Sequence, residues 1–264
     1  MGWRRATSRE PLAFESFGVR CQIVLADPEL EPHVREVLPP GYQPRRPSKT
    51  DAVFGIRRTD EDSYEVTIDG RQWIDHGTLE IAINLLDAQL RVHIAVNTPD
   101  LIFVHAGVVA HGRQALLIPG GSFSGKTTLV GALVQAGATY YSDEYAVLDA
   151  EGRVHPYPRR LSFRGVGERH VSELGGVAGE ESADVATVML THYRAGVEWR
   201  PERRSHGRGL LALMANTVPA AERPRESLSA LRKSLTGASV LEGDRGEAEP
   251  IAEALLDELA AIAR

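Results

Sequence analysis

Gly120, Gly125, Lys126 and Thr127 stand in the order G-x-x-x-x-G-K-[ST] within "IPGGSFSGKTTLVGALVQAG" (118–137). Glycines let a backbone wrap so that successive N–H groups turn inward on a phosphate, and the N-terminus of a following helix adds partial positive charge. In that chemistry the main chain of Gly120, Gly121, Ser122, Ser124 and Gly125 cradles the phosphates, with Thr128 beside it. Lys126 reaches the β- and γ-phosphates, and the Thr127 hydroxyl ligates Mg²⁺. The loop is therefore expected to bind a nucleotide together with Mg²⁺. A second chemical feature follows closely: Asp143 and Glu144 lie seventeen and eighteen residues past Lys126, in polar "YYSDE". Carboxylates placed there face the phosphates, where they can hold Mg²⁺ or take the proton of an attacking hydroxyl.

These residues need elements to hold them. "LIFVHAGVVA" and "QALLIPG" flank His111-Gly112-Arg113 and predict a hairpin whose second strand runs into the glycine loop. "KTTLVGALVQAG" (126–137) predicts a helix with Leu129, Val130 and Leu133 on one face and Gly137 in the left-handed position that ends it. "TYYSDEYAVLD" and "RVHPY" read as strands turning at Ala150-Glu151-Gly152, and 183–193 reads as a further strand. Two helices start at Pro224 and Pro250, the first carrying Leu228, Leu231 and Leu235. Residues 1–98 form a separate α+β portion with strands at 19–26 and 64–74, an Asp69-Gly70 turn, and a buried helix over 78–97 that stops before Thr98-Pro99.

His105, Gly120, Lys126, Asp143 and Glu144 reproduce the spacings of the HPr kinase/phosphorylase family, in which a His precedes the first loop glycine by fifteen residues and two acids follow the loop lysine. "LSFRGVGERHV" (161–171) is similar to that family's signature segment through Leu161, Arg164, Gly165 and Gly167, with Ser162 standing where the family has a Mg²⁺-associated Glu. The resemblance covers about 101–170 well and 183–264 only in general layout; the 1–98 portion is unlike that family's N-terminal domain and looks more like the leading region of the related kinases of bacterial gene clusters, some of which phosphorylate a precursor peptide. It implies an α/β fold of the HPr kinase/PEP carboxykinase type, with a P-loop and a mixed, partly antiparallel sheet over 99–264, on which the 1–98 portion packs. It also implies an ATP- and Mg²⁺-dependent kinase acting on a hydroxyl, with a serine of a protein or peptide, or a small alcohol, as acceptor. By the same transfer Asp143 is the general base, Glu144 supports it or the metal, and His105 lies near the transferred phosphoryl. Read from the residues alone, a single His in an apolar strand is a hydrogen-bonded core residue. The Ser162 departure keeps a second function open, a nucleotide-binding scaffold without turnover.

Other residues carry weaker signals. "WRPERRSHGR" (199–208) gathers Arg200, Arg203, Arg204, His206 and Arg208 in a polar stretch that reads as a solvated loop or as a phosphate clamp, with Arg208 the best placed. Arg159 and Arg160 either reach a phosphate or cap a strand end, and Trp73 and Trp199 read as packing residues. With a net charge of −6 and no basic stripe, nucleic acid is not expected as a partner. No apolar run of membrane length and no signal-peptide core is present, and the lone Cys21 has no disulfide partner, which sets a cytoplasmic expectation. The resemblance leaves room for a homo-oligomer.

Overall fold

In the computed structural model, which describes residues 10–47, 49–121 and 124–262, the chain divides into two units between Pro99 and Asp100. The first unit carries β1 (Leu12–Ser16), β2 (Val19–Leu25), helix α1 (Glu31–Glu36), β3 (Gln43–Pro44), β4 (Ala52–Asp60), β5 (Ser63–Ile68), β6 (Arg71–Gly77) and helix α2 (Leu79–Asn97). Its six strands form one sheet in the order β3-β1-β2-β4-β5-β6, antiparallel except for the β2–β4 pair. The expected β5–β6 hairpin is present, with Asp69 at φ 50° and Gly70 at φ 77° in its turn. The sequence reading assigned no strand to β1 or β4.

Helix α2 begins where the Thr78 hydroxyl accepts the Ile81 N–H at 3.4 Å and ends at Thr98, ahead of Pro99. Ala82, Leu86, Leu90 and Ile94 recur at intervals of four, and the stripe they make is buried against β4, β5 and β6. Trp73, expected to pack, is 56% exposed.

The second unit begins with β7 (Ile102–His111) and β8 (Gln114–Pro119), followed by α3 (Lys126–Gln135), β9 (Thr139–Ser142), β10 (Tyr145–Leu148) and β11 (Val154–His155). After the small β12 (Leu161–Phe163) and β13 (Gly167–Arg169) hairpin come β14 (Asp184–Tyr193), β15 (Glu202–Arg203), α4 (His206–Ala215), α5 (Pro224–Ser234), β16 (Ser239–Arg245) and α6 (Glu249–Ile262). The main sheet has the order β11-β10-β7-β8-β14-β16-β15, with β9 also paired to β7. It is mixed: β8, β14 and β16 run parallel, while β7 is antiparallel to β8, β9 and β10. Strand alternation sends Leu117, Val188 and Val240 to one face, covered by α4 and α5 through Leu213 and Leu231. Leu116, Ile118 and Met189 point to the other, covered by α3 and α6 through Leu129, Leu133, Leu255 and Leu259. Among the described residues no helix is long and apolar enough to cross a membrane.

Three local expectations change. The predicted strand through "TYYSDEYAVLD" is two strands broken at Asp143–Glu144, because the Ser142 hydroxyl accepts the N–H groups of Glu144 (3.0 Å) and Tyr145 (2.9 Å) and turns the chain there. The polar stretch 199–208 is not a loop throughout: it contains β15 and opens α4, capped by the Ser205 hydroxyl on the Arg208 N–H. Gly207 and Gly209 disguise that helix by their low propensity, yet a Cβ at Gly209 would meet Val240 Cγ2 at 2.8 Å, so glycine is what lets α4 lie against β16. On α5, Leu231 is buried as expected while Leu228 is 46% exposed. No element was anticipated at β16.

The β10–β11 turn is held equally tightly. Gly152 has φ +86°, and a Cβ there would lie 2.3 Å from the Ser234 backbone nitrogen at the end of α5. Gly152→Ala is therefore expected to destabilise the fold by about 2 kcal/mol or more. Thermal unfolding measures this, and an unchanged midpoint would refute the close approach.

Candidate functional site

The β7–β8 hairpin explains the first spacing. Its turn at Gly112 and Arg113 pairs His111 with Gln114 and Ala106 with Pro119, so residues fifteen apart meet at its open end. There the Gly120 N–H donates to the His105 carbonyl at 3.1 Å. The second spacing comes from α3 and β9: β9 returns antiparallel to β7, pairing Ser142 with Val108, and releases Asp143 and Glu144 at the level of the loop. β10 then continues along β7 with Tyr145 opposite His105.

A cleft of about 490 Å³ results, lined by Ser124, Gly125, Lys126, Thr127 and Thr128 on one wall, by His105, Asp143 and Glu144 on another, and by Ser162, Phe163 and Arg164 on a third. The third wall is the β12–β13 hairpin, which brings the signature-like segment to the same place. Ser122 lies outside the described residues. Gly120 and Gly121 contribute their carbonyls, each accepting from Lys126 Nζ at 2.7 Å. Gly125 sits in the left-handed region at φ +80° as the residue before α3, a conformation that glycine adopts without strain.

Asp143 is the most enclosed acid of the cleft, at 8% exposure. Its Oδ2 accepts from the Thr127 hydroxyl and its Oδ1 from the Tyr140 hydroxyl, both at 3.0 Å. Burial raises its pKa, and the two hydroxyl donors only partly oppose this. The neighbouring Glu144 pushes in the same direction as burial. Burial likewise lowers the Lys126 pKa, against the pull of Glu144 and Asp143. Glu144 stands nearer the mouth, its Oε1 3.7 Å from His105 Nδ1, with the two side chains 33% and 41% exposed. His105 is thus a wall of the cleft rather than a core residue. Its ring lies 4.8 Å from that of Tyr145, which Phe103 and Tyr157 hold edge-on at 5.5 Å each.

A Thr hydroxyl beside a carboxylate, with a second carboxylate next in sequence, is a set of hard oxygen donors. It suits Mg²⁺, which takes one or two protein carboxylates together with substrate phosphates. The loop fits a phosphate in a second respect: the Ser124 hydroxyl is buried with no hydrogen-bond partner among the described residues, and a Cβ on Gly120 would meet it at 2.9 Å.

Other candidates lie elsewhere. Arg204 and Arg208 both bond Glu242, Arg200 bonds Glu198, and Arg203 bonds the Ser239 hydroxyl, so none of these arginines lines the cleft. Arg159 and Arg160 do not line it either, and Trp199 packs on the core beneath α3 and α6 as expected. Two residues escaped the sequence reading. Tyr140 looks like any strand aromatic, although its position three before Asp143 is a usable signal. Arg245, whose Nη2 bonds the Gly125 carbonyl at 2.9 Å, lies 120 residues from its partner and has no local signature.

The raised Asp143 pKa has a consequence for stability. Between the ordinary 3.8 and the raised value the folded protein keeps a proton that the unfolded chain has lost, so stability falls as pH rises through that window. Asp143→Asn should flatten this decline and raise the unliganded melting temperature at neutral pH. Parallel melting-temperature curves for the two proteins would contradict it.

No family model matches the chain, and no curated protein matches it. Among solved structures it is similar to the HPr(Ser) kinase/phosphatase from Coxiella burnetii, at 15% identity and a TM-score of 0.35, over 61% of this chain and 95% of that one.

Proposed function

We propose that the protein is an ATP- and Mg²⁺-dependent kinase that transfers the γ-phosphoryl group to a hydroxyl of a protein, peptide or small alcohol. The observation that carries this reading is the convergence of Ser124–Thr128, the acid pair and His105 on one cleft from three separate elements. In this account the loop amides and the N-terminus of α3 bind the phosphates, and Lys126 exchanges the Gly120 and Gly121 carbonyls for phosphate oxygens. Thr127, Asp143 and Glu144 are the residues that would hold Mg²⁺, which supplies charge neutralisation at the phosphates.

The acceptor oxygen forms its bond to the γ-phosphorus as the bond to the β,γ-bridging oxygen breaks, and ADP leaves. The hydroxyl proton passes to Asp143, the most enclosed carboxylate of the cleft. His105, beside Glu144 at the mouth, orients the incoming hydroxyl. Catalysis on this reading is positioning and electrostatics.

A second reading has an observation in its favour. Ser162 on the third wall supplies no carboxylate, which suits a nucleotide-binding scaffold without turnover. Phosphate transfer from labelled ATP into a cell lysate separates the two. For the kinase, Lys126→Ala and Asp143→Ala each lower transfer at least about a hundredfold. ATP binding with no ADP release for any acceptor would establish the scaffold instead, and undiminished transfer by both variants would remove the assigned roles.

A further inference from the structure

Strands β8, β14 and β16 run parallel, so their carboxyl ends share one edge of the sheet, where ligands of α/β proteins bind. From β8 the chain enters the glycine loop, β14 ends at Tyr193, and β16 ends at Arg245. Arg245 is only 2% exposed. Its Nη2 donates to the Gly125 carbonyl at 2.9 Å and its Nη1 to the Gly246 carbonyl at 3.0 Å. Its Nε is buried with no hydrogen-bond partner among the described residues. Its Cζ lies 5.5 Å from the centroid of the Tyr193 ring, and the Tyr193 hydroxyl donates to Glu247 Oε1 at 2.7 Å.

A buried guanidinium bonded to carbonyls rather than to a carboxylate is unfavourable for stability on its own, and it lies at the positive end of α3, where a second positive charge adds to the cost. The geometry explains what the residue does there. Gly125 O also accepts the Leu129 N–H at 3.2 Å, so helix and guanidinium together fix the direction of one carbonyl. A trans peptide points its C=O and N–H in opposite directions, so holding Gly125 O on Arg245 aims the Lys126 N–H away from it, into the loop. Glycine is needed for this approach as well as for its φ, because a Cβ on Gly125 would lie 2.6 Å from Nη2.

We propose that Arg245 is a positioning residue for nucleotide binding: it sets the Gly125–Lys126 peptide in its phosphate-binding orientation and adds positive charge behind the loop. The inference rests on the loop binding a nucleotide. It uses a residue from the far end of the chain, held in place by Tyr193.

The test is MgATP titration of the full chain by calorimetry, together with melting curves without nucleotide. Arg245→Met removes a buried charge, so the unliganded melting temperature should hold or rise while MgATP affinity falls about tenfold. Arg245→Lys, which keeps the charge, should recover part of the loss. Wild-type affinity in Arg245→Met overturns the inference, as does a fall in affinity that tracks a fall in melting temperature. If Arg245→Met does not fold, Tyr193→Leu at a half-exposed position replaces it; about threefold weaker binding supports the proposal and unchanged binding overturns it. A wild-type protein that does not bind MgATP would instead overturn the nucleotide reading, and with it this inference. Binding without phosphoryl transfer would leave Arg245 in its role and remove only the kinase.

Discussion

Strand β7 is hydrogen-bonded along one edge to β8 and along the other to β9 and β10, and its residues from Phe103 to Ala110 are almost all without solvent contact. Backbone groups this deep must be paired, because no water reaches them. Their pairing dictates where the glycine loop starts, where the acid pair is released and which way His105 faces. A slip of one residue in the β7–β8 register would turn His105 to the opposite face and separate it from Glu144. The cleft therefore inherits its precision from main-chain hydrogen bonds in the core.

Charge within the cleft is arranged in opposition. Lys126, the α3 terminus and Arg245 gather positive potential around Gly125, while Asp143 and Glu144 face them across the loop. Burial acts against both signs, raising the Asp143 pKa and lowering those of Lys126 and Arg245. Hydroxyls at Thr127 and Tyr140 meet part of the demand of Asp143, and carbonyls meet that of Lys126 and Arg245. Neither arrangement equals a direct ion pair.

Among its described residues the first unit has no comparable concentration of chemistry. Its one thiol, Cys21, lies fully buried in β2, where burial and the nearby Asp51 and Asp69 push its pKa up to about 12. A thiol so reluctant to ionise is a packing residue and not a nucleophile. Glu65 is buried on β5 but is met by Arg57 across the β4–β5 pair, which satisfies the carboxylate within the sheet.

Local sequence carried much of this. The hairpin around Gly112, the helix after Gly125, the stripe of α2 and the spacings among His105, Gly120, Lys126 and Asp143 are all legible because each depends on residues within about twenty positions. Other features are not. Whether 139–149 is one strand or two turns on the Ser142 hydroxyl, α4 is hidden by glycines whose purpose is contact with β16, and β16 itself pairs with a strand some fifty residues earlier. The sequence by itself determined the mixed α/β class and singled out Lys126, Thr127, Asp143, Glu144 and His105, which meet at one cleft, since motif, turn and periodicity are short-range properties. Only the tertiary structure decided that Arg245 bonds the Gly125 carbonyl, that Tyr140 holds Asp143 and that the arginines of 199–208 bond elsewhere than in the cleft, because long-range strand pairing sets which distant side chains meet.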